Sequence, residues 1–201
     1  MNRERGMVRL LIGLLLVLGL GSLAGRASEP RHVLLLNSYD QRMSWVQDVT
    51  RAVEETLKPE ENGLILHVFN MDSKRYPSEA YFEGLRSLFR VKYASTRFSL
   101  ILASDNNAFG FLRAHRDELF PGAPVAFCGL NDFRDEDLKG LQGYTGVAEV
   151  LSPRETVELI LRQHPETREI FIVNDYLESC RKSAHDIEKE LEPLRGRVAL
   201  T

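Results

Sequence analysis

The chain has 201 residues, 43% hydrophobic and 27% charged, with a formal net charge of −3. That is the composition of a folded globular protein, and the mild acidity argues against nucleic acid and anionic lipid as partners. Two cysteines, Cys128 and Cys180, are too few for a disulfide framework or a structural zinc site, and neither belongs to a CxxC pair.

The first segment sets the compartment. Arg3, Arg5 and Arg9 precede an apolar run from Leu10 to Leu20, and the small residues Ser22, Ala24 and Ala27 follow. This is the layout of a signal peptide over residues 1–27, with cleavage expected after Ala24 or Ala27; the alternative is an uncleaved membrane anchor. Either way residues 28 onward lie in the periplasm or outside the cytoplasm. Removing residues 1–27 takes away four arginines and one glutamate, which moves the net charge from −3 to −6. The remaining part, about 170 residues, is long enough to bury a core.

A repeated rhythm of apolar strand, polar strand end and amphipathic helix then begins. Residues 33–36, 64–69, 98–103 and 124–128 read as strands that run into NSYD, NMDS, SDNN and GLND. Ser44 and Gln47 suggest a capping box for a first helix with Val46, Val49, Val53 and Leu57 on one face. Pro77 opens a second helix, whose stripe is Tyr81, Phe82, Leu85, Leu88 and Phe89. A third runs from about Asn106 to Leu119, with Phe111, Leu112 and His115 turned inward. The expected architecture is α/β, a doubly wound parallel sheet over residues 28–143.

Residues 144–151 read as a fifth strand that leaves this sheet, so 144–201 forms a crossover and an incomplete second α/β lobe. Ser152, Pro153 and Glu155 supply a helix start, with cap, proline and reciprocal carboxylate. Residues 169–174 form a strand with Asp175 at its end, 177–191 a helix, and Val198–Thr201 the start of another strand. The gene product is expected to continue beyond Thr201.

In a parallel sheet the carboxyl ends of the strands form the ligand crevice. The candidate ligand-binding residues are therefore Ser38, Tyr39, Trp45, Asp72, Ser104, Asp105, Asn106, Asn131 and Asp132. Their hydroxyls, amides and carboxylates suit a small polar solute, and Tyr39 or Trp45 could stack on it. Asp105 has an alternative role as a helix N-cap, and Asn131 with Asp132 as an Asx turn. Gly129 reads as a tight turn, Trp45 alternatively as a packed first-turn residue, and Lys74 and Arg75 as a solvated loop or an anion contact.

No catalytic constellation stands out. GxSxG, HExxH, GxxxxGK and GxGxxG are absent, the five histidines lack metal spacing, and Asp132 with Asp135 needs no catalytic role. The expectation is no catalytic residue, no metal and no cofactor in the region shown.

The segments HVLLLNSYDQRMSWVQDV, NMDSKRYPSEAYFEGL, LILASDNNAFGFLRAHRDELFPGAPVAFCGLNDF and TGVAEVLSPRETVELILRQHP resemble the ABC-transporter substrate-binding protein family. More closely, they resemble the version found as the extracytoplasmic domain of bacterial sensor histidine kinases and diguanylate cyclases. The resemblance covers residues 31 to about 195, and ASDNNA and FCGLND are its specific parts. It implies a type 1 periplasmic-binding-protein-like fold, two α/β lobes with ligand between them. The function it implies is a solute-sensing domain of a membrane signalling protein; the alternatives are the periplasmic receptor of an ABC transporter or a periplasmic hydrolase. The implied partners are a membrane-anchored signalling protein or an ABC permease, with a homodimer as a further assembly. A kinase or cyclase output domain would lie beyond Thr201.

Overall fold

The computed structural model describes residues 30–131, 133–173 and 178–201, with the side chains of 178–182 excepted. The expected export segment, Asp132, Asn174, Asp175 and the side chain of Cys180 lie outside the described residues.

Five strands form one parallel sheet: β1 (Arg31–Asn37), β2 (Leu64–Asn70), β3 (Phe98–Ser104), β4 (Val125–Leu130) and β5 (Tyr144–Ala148). The spatial order is β2-β1-β3-β4-β5. The chain steps from β1 outward to β2, then back across to β3 and onward. Helix α1 (Ser44–Leu57) makes the first crossover, α2 (Glu79–Lys92) and α3 (Asp105–Leu119) the next two. Because parallel crossovers are right-handed, this reversal places α1 on one face of the sheet and α2 with α3 on the other. The doubly wound expectation is met.

β1 is central, which explains its unbroken VLLL run: Val33 and Leu35 face one way, Leu34 and Leu36 the other, and all four are buried. Leu34 and Leu36 join the main core with Ile101, Val125 and Phe127 from the sheet, Leu85 and Phe89 from α2, and Phe111 and Leu112 from α3. The second helix is narrower than its stripe suggested, since Leu88 is exposed while Leu85 and Phe89 are buried.

Four readings need correction. Ser44 is the first helical residue and Met43 occupies the N-cap without a side-chain bond, so the Ser44/Gln47 capping box does not form. Ser152 likewise makes no side-chain cap for the helix it precedes; Ser78 does cap α2, accepting from the Tyr81 backbone N–H. β4 continues through Gly129 to Leu130 rather than ending at Cys128. β5 does not leave the sheet: it pairs with β4, Val125 opposite Tyr144 and Phe127 opposite Gly146, and forms the edge. Short alternating segments announce a strand without announcing its neighbour.

After β5 come α4 (Pro153–Gln163), β6 (Glu169–Ile170), α5 (Glu178–Leu191) and β7 (Ala199–Leu200). β6 and β7 make a separate two-stranded parallel sheet, and a second cluster gathers Val157, Leu191, Leu194 and Val198. The strand expected over 169–174 covers only its first two residues; Phe171 and Val173 are 67% and 92% exposed. The ladder continues through the Thr201 N–H, which donates to the Ile170 carbonyl, and the Ile172 N–H, which donates to the Thr201 carbonyl.

On the first two strands, His32 Nδ1 and His67 Nε2 lie 2.9 Å apart. The His67 ring stands edge-on to Tyr93 and Phe98. Burial holds the His67 pKa below its ordinary value of 6.5, and the nearby His32 and Lys92 add to this. The folded chain thus binds fewer protons at His67 than the unfolded chain, so its contribution is complete above about pH 6.5 and fades as pH falls. Acidification from about pH 7.5 to about pH 5.5 should therefore lower the melting temperature more in the wild type than in His67→Gln. Superimposable pH profiles would show that this pair is not an acid-sensitive contact.

Candidate functional site

The order β2-β1-β3 places the topological switch between β1 and β3, where two neighbouring strand ends send their chains to opposite faces and leave a crevice. Residues following β1, β2, β3 and β4 meet there. Their polar groups first bind one another. The buried Ser38 hydroxyl donates to the Ser104 carbonyl at 2.7 Å and accepts from the Ala108 N–H at 2.8 Å. The Ser73 hydroxyl donates to the Ser38 carbonyl at 2.6 Å, and Asn107 Nδ2 donates to the Ser73 hydroxyl at 2.8 Å. Three strand-end loops are thereby laced together beneath the surface.

Asp105 is the centre of the arrangement. It opens α3 and is 6% exposed, with φ at +71°. That left-handed backbone is unusual outside glycine, although Asp tolerates it better than most residues. The expected N-cap role is not observed: Ser104 occupies the cap, without a side-chain cap bond. The Asp105 carboxylate instead accepts from the Trp45 indole N–H at 2.8 Å and the Ser104 hydroxyl at 2.9 Å, and Tyr39 bonds it as well. Burial raises its pKa, while these donors and the nearby Lys74 charge oppose the rise.

Tyr39 is almost buried, and the Lys74 ammonium lies 4.4 Å over its ring. Arg75 is occupied internally, reaching Asp72 at 2.5 Å and Asp40 at 3.5 Å, so it ties the loops after β1 and β2. Asp72 has φ at +51°, a second polar residue in the left-handed region at this rim. Asp40 also accepts from Arg42, which holds its carboxyl down to about 2.

On the β4 side, Asn106 and Asn131 bond reciprocally: Asn106 Nδ2 donates to the Asn131 carbonyl at 3.0 Å, and the Asn131 N–H donates to Asn106 Oδ1 at 3.1 Å. Both line a cavity of about 650 Å³ with Phe109, Arg113, Arg134 and His185. Asp132 lies outside the described residues. Gly129, read from the sequence as a turn, is inside β4 with φ at +69°. A Cβ there would come within 3.1 Å of Trp45 Cζ2 and 3.4 Å of Asp105 Oδ1. The structure therefore joins Tyr39, Trp45, Ser104 and Asp105 directly, with Gly129 and Lys74 as additions. Ser38 anchors the loops from below, Asp72 pairs with Arg75, and Asn106 with Asn131 forms the neighbouring wall.

Cys128 is a free, half-buried thiol whose pKa burial pushes up, the opposite of an activated nucleophile. Among the described residues no group of three or more His, Cys, Asp or Glu side chains is placed to hold a metal, and no helix is long and apolar enough to cross a membrane.

No protein-family model matches the chain, and no curated protein matches its sequence. Solved structures do match its fold. A conserved domain protein from Vibrio cholerae superposes with a TM-score of 0.60 at 14% identity, covering 86% of this chain and 56% of that one. The ABC domain in complex with L-Trp from Streptococcus pneumonia gives 0.56 at 16%, covering 84% and 55%. The periplasmic binding protein component of the arabinose ABC transporter from Shewanella sp. ANA-3, bound to arabinofuranose, gives 0.53 at 12%, covering 84% and 54%. At such identities the likeness is one of fold: the α/β arrangement of periplasmic solute-binding proteins of ABC transporters. The chain spans about half the length of the structures it matches.

Proposed function

We propose that this chain carries the first lobe of an exported receptor for a small polar solute, serving an ABC-type importer. The observation that carries the reading is the strand-end rim at the β1/β3 switch, where a buried carboxylate, two aromatic rings and an asparagine pair collect on one edge of the sheet. Two of its structural neighbours are ABC proteins holding a small solute, which favours transport over the sensory domain of a kinase or cyclase. Residues 1–27 direct export, 28–143 with β5 form the binding lobe, and the remainder of 144–201 belongs to the second lobe. The chain's own role in this reading is recognition without chemistry.

Isothermal titration of the full-length gene product with neutral amino acids and pentoses tests the proposal. Asp105→Ala and Asn131→Ala are each expected to weaken solute binding by about 1 to 3 kcal/mol, the cost of leaving a polar partner unpaired. Asp105→Ala should also lower stability, because Trp45, Ser104 and Tyr39 all lose their acceptor. Unchanged affinity in both variants would confine these residues to holding loops together.

A further inference from the structure

We infer that His32 and His67 form a two-imidazole site for a borderline transition-metal ion, copper(II) or nickel(II), on the first two strands and apart from the proposed solute crevice. In the β1–β2 register His32 stands opposite Ile65 and His67 opposite Leu34, so the two histidines are diagonal neighbours on the face that also carries Leu34 and Leu36. The crevice lies elsewhere. His32 is the second residue of β1 and five residues short of its end at Asn37, about 16 Å of strand away from the rim.

The pair has the bite of a chelate. Metal–imidazole bonds of about 2.0 to 2.1 Å meeting at a right angle hold their nitrogens about 2.9 Å apart, while a tetrahedral angle spreads them to about 3.3 Å. His32 Nδ1 and His67 Nε2 are 2.9 Å apart. The spacing matches adjacent positions of a square-planar or tetragonal ion, the geometry of copper(II) and nickel(II), ahead of tetrahedral zinc. In the metal-free chain one of these nitrogens carries the N–H that the other accepts. On binding, that proton exchanges through water to the outer nitrogen of the same ring, which frees two lone pairs for the ion without net proton release. Both side chains are half-buried, and the His67 ring is steadied by edge contacts with Tyr93 and Phe98 at 5.8 and 5.3 Å between centroids. Among the described residues each imidazole's one hydrogen-bond partner is the other, and no third His, Cys, Asp or Glu joins them. The ion therefore keeps its remaining positions for water or a chelator. A set made only of imidazoles disfavours magnesium and calcium, which take oxygen ligands. The Lys92 ammonium, whose charge reaches His67, is held over the rings of Phe69 and Tyr93 at 5.0 and 5.2 Å, and a metal carried by an anionic chelator offsets it.

The full chain, expressed without a histidine tag, is passed at about pH 7.5, where imidazole is neutral, over a nickel(II)–nitrilotriacetate resin whose ion has adjacent open positions. It should be retained and then released by free imidazole. Calorimetry with copper(II) should count about one ion per chain, and His32→Gln and His67→Gln should each weaken binding by at least the roughly ten-fold that losing even an outer-shell partner costs. His164→Gln, which removes an exposed histidine elsewhere, should leave the affinity unchanged. Copper(II) electron paramagnetic resonance of the wild type should show coupling to two imidazole nitrogens, a readout that decides the question even where a variant fails to fold. Coupling to a single nitrogen, or copper affinity unchanged in the folded His32 and His67 variants, would overturn the metal site and leave the pair as a hydrogen bond between strands.

Discussion

Phe89→Ala is expected to cost about 3 to 5 kcal/mol of folding stability, the range for emptying a large aromatic site in a core. Phe89 is essentially inaccessible, and four rings converge on it: Phe69 at 4.6 Å, Tyr93 and Phe111 each at 5.5 Å, and Phe120 at 6.1 Å between centroids. These rings come from β2, the C-cap of α2, α3 and the turn after α3. No single neighbour can move into the space without leaving another contact. In a chain of this size the loss should appear as a fall in melting temperature of roughly 6 to 20 °C. A change below about 1 kcal/mol in urea unfolding would mean that the cluster closes over the gap and is not the anchor of the core.

Gly146→Ala should be nearly as damaging, by overcrowding instead of emptying. Gly146 stands opposite Phe127 in the β4–β5 pairing, and an added Cβ would lie 2.2 Å from the Phe127 carbonyl oxygen and 2.4 Å from its ring. The first of those atoms is backbone, so the strands themselves must separate. Overpacking of this kind costs about 1 to 3 kcal/mol and occasionally more. β5 is an edge strand, so the relief should come from its release. Hydrogen exchange at Val125 and Glu149, whose N–H groups bond Gly143 and Leu130 across this pair, should accelerate well ahead of exchange in β1. Unchanged protection at those two amides would show that β5 tolerates the methyl group in place.

Much of the first sheet is legible in the residues. β1 to β4 announce themselves as short apolar runs bounded by polar clusters, and their ends fall within two residues of the expected positions. The placement of a candidate site at those ends follows from parallel topology alone. What fails is anything decided by distant contacts. Whether Tyr144–Ala148 stays with β4 depends on a partner strand, and the alternation of YTGVA says nothing about which one. Ser44 and Ser152 have the residue type of a cap but not its geometry. The bond from Trp45 to Asp105 joins positions 60 residues apart, so no local pattern could signal it. Gly129 was recognisable as a backbone exception, and only the fold reveals that its missing side chain makes room for the indole.

The lacing of Ser38, Ser73, Ser104 and Asn107 has a consequence for how a guest would be received. Because the loops after β1, β2 and β3 share these buried bonds, they respond as one rigid plate. A solute landing on it finds the floor already ordered and forfeits little conformational entropy there. In the receptor proposed above, a closing movement would then come from the opposing lobe, with this half acting as the anvil. The same coupling makes the loops genetically interdependent: paired substitutions drawn from two of them should depart from additivity, where pairs drawn from distant surfaces would simply sum.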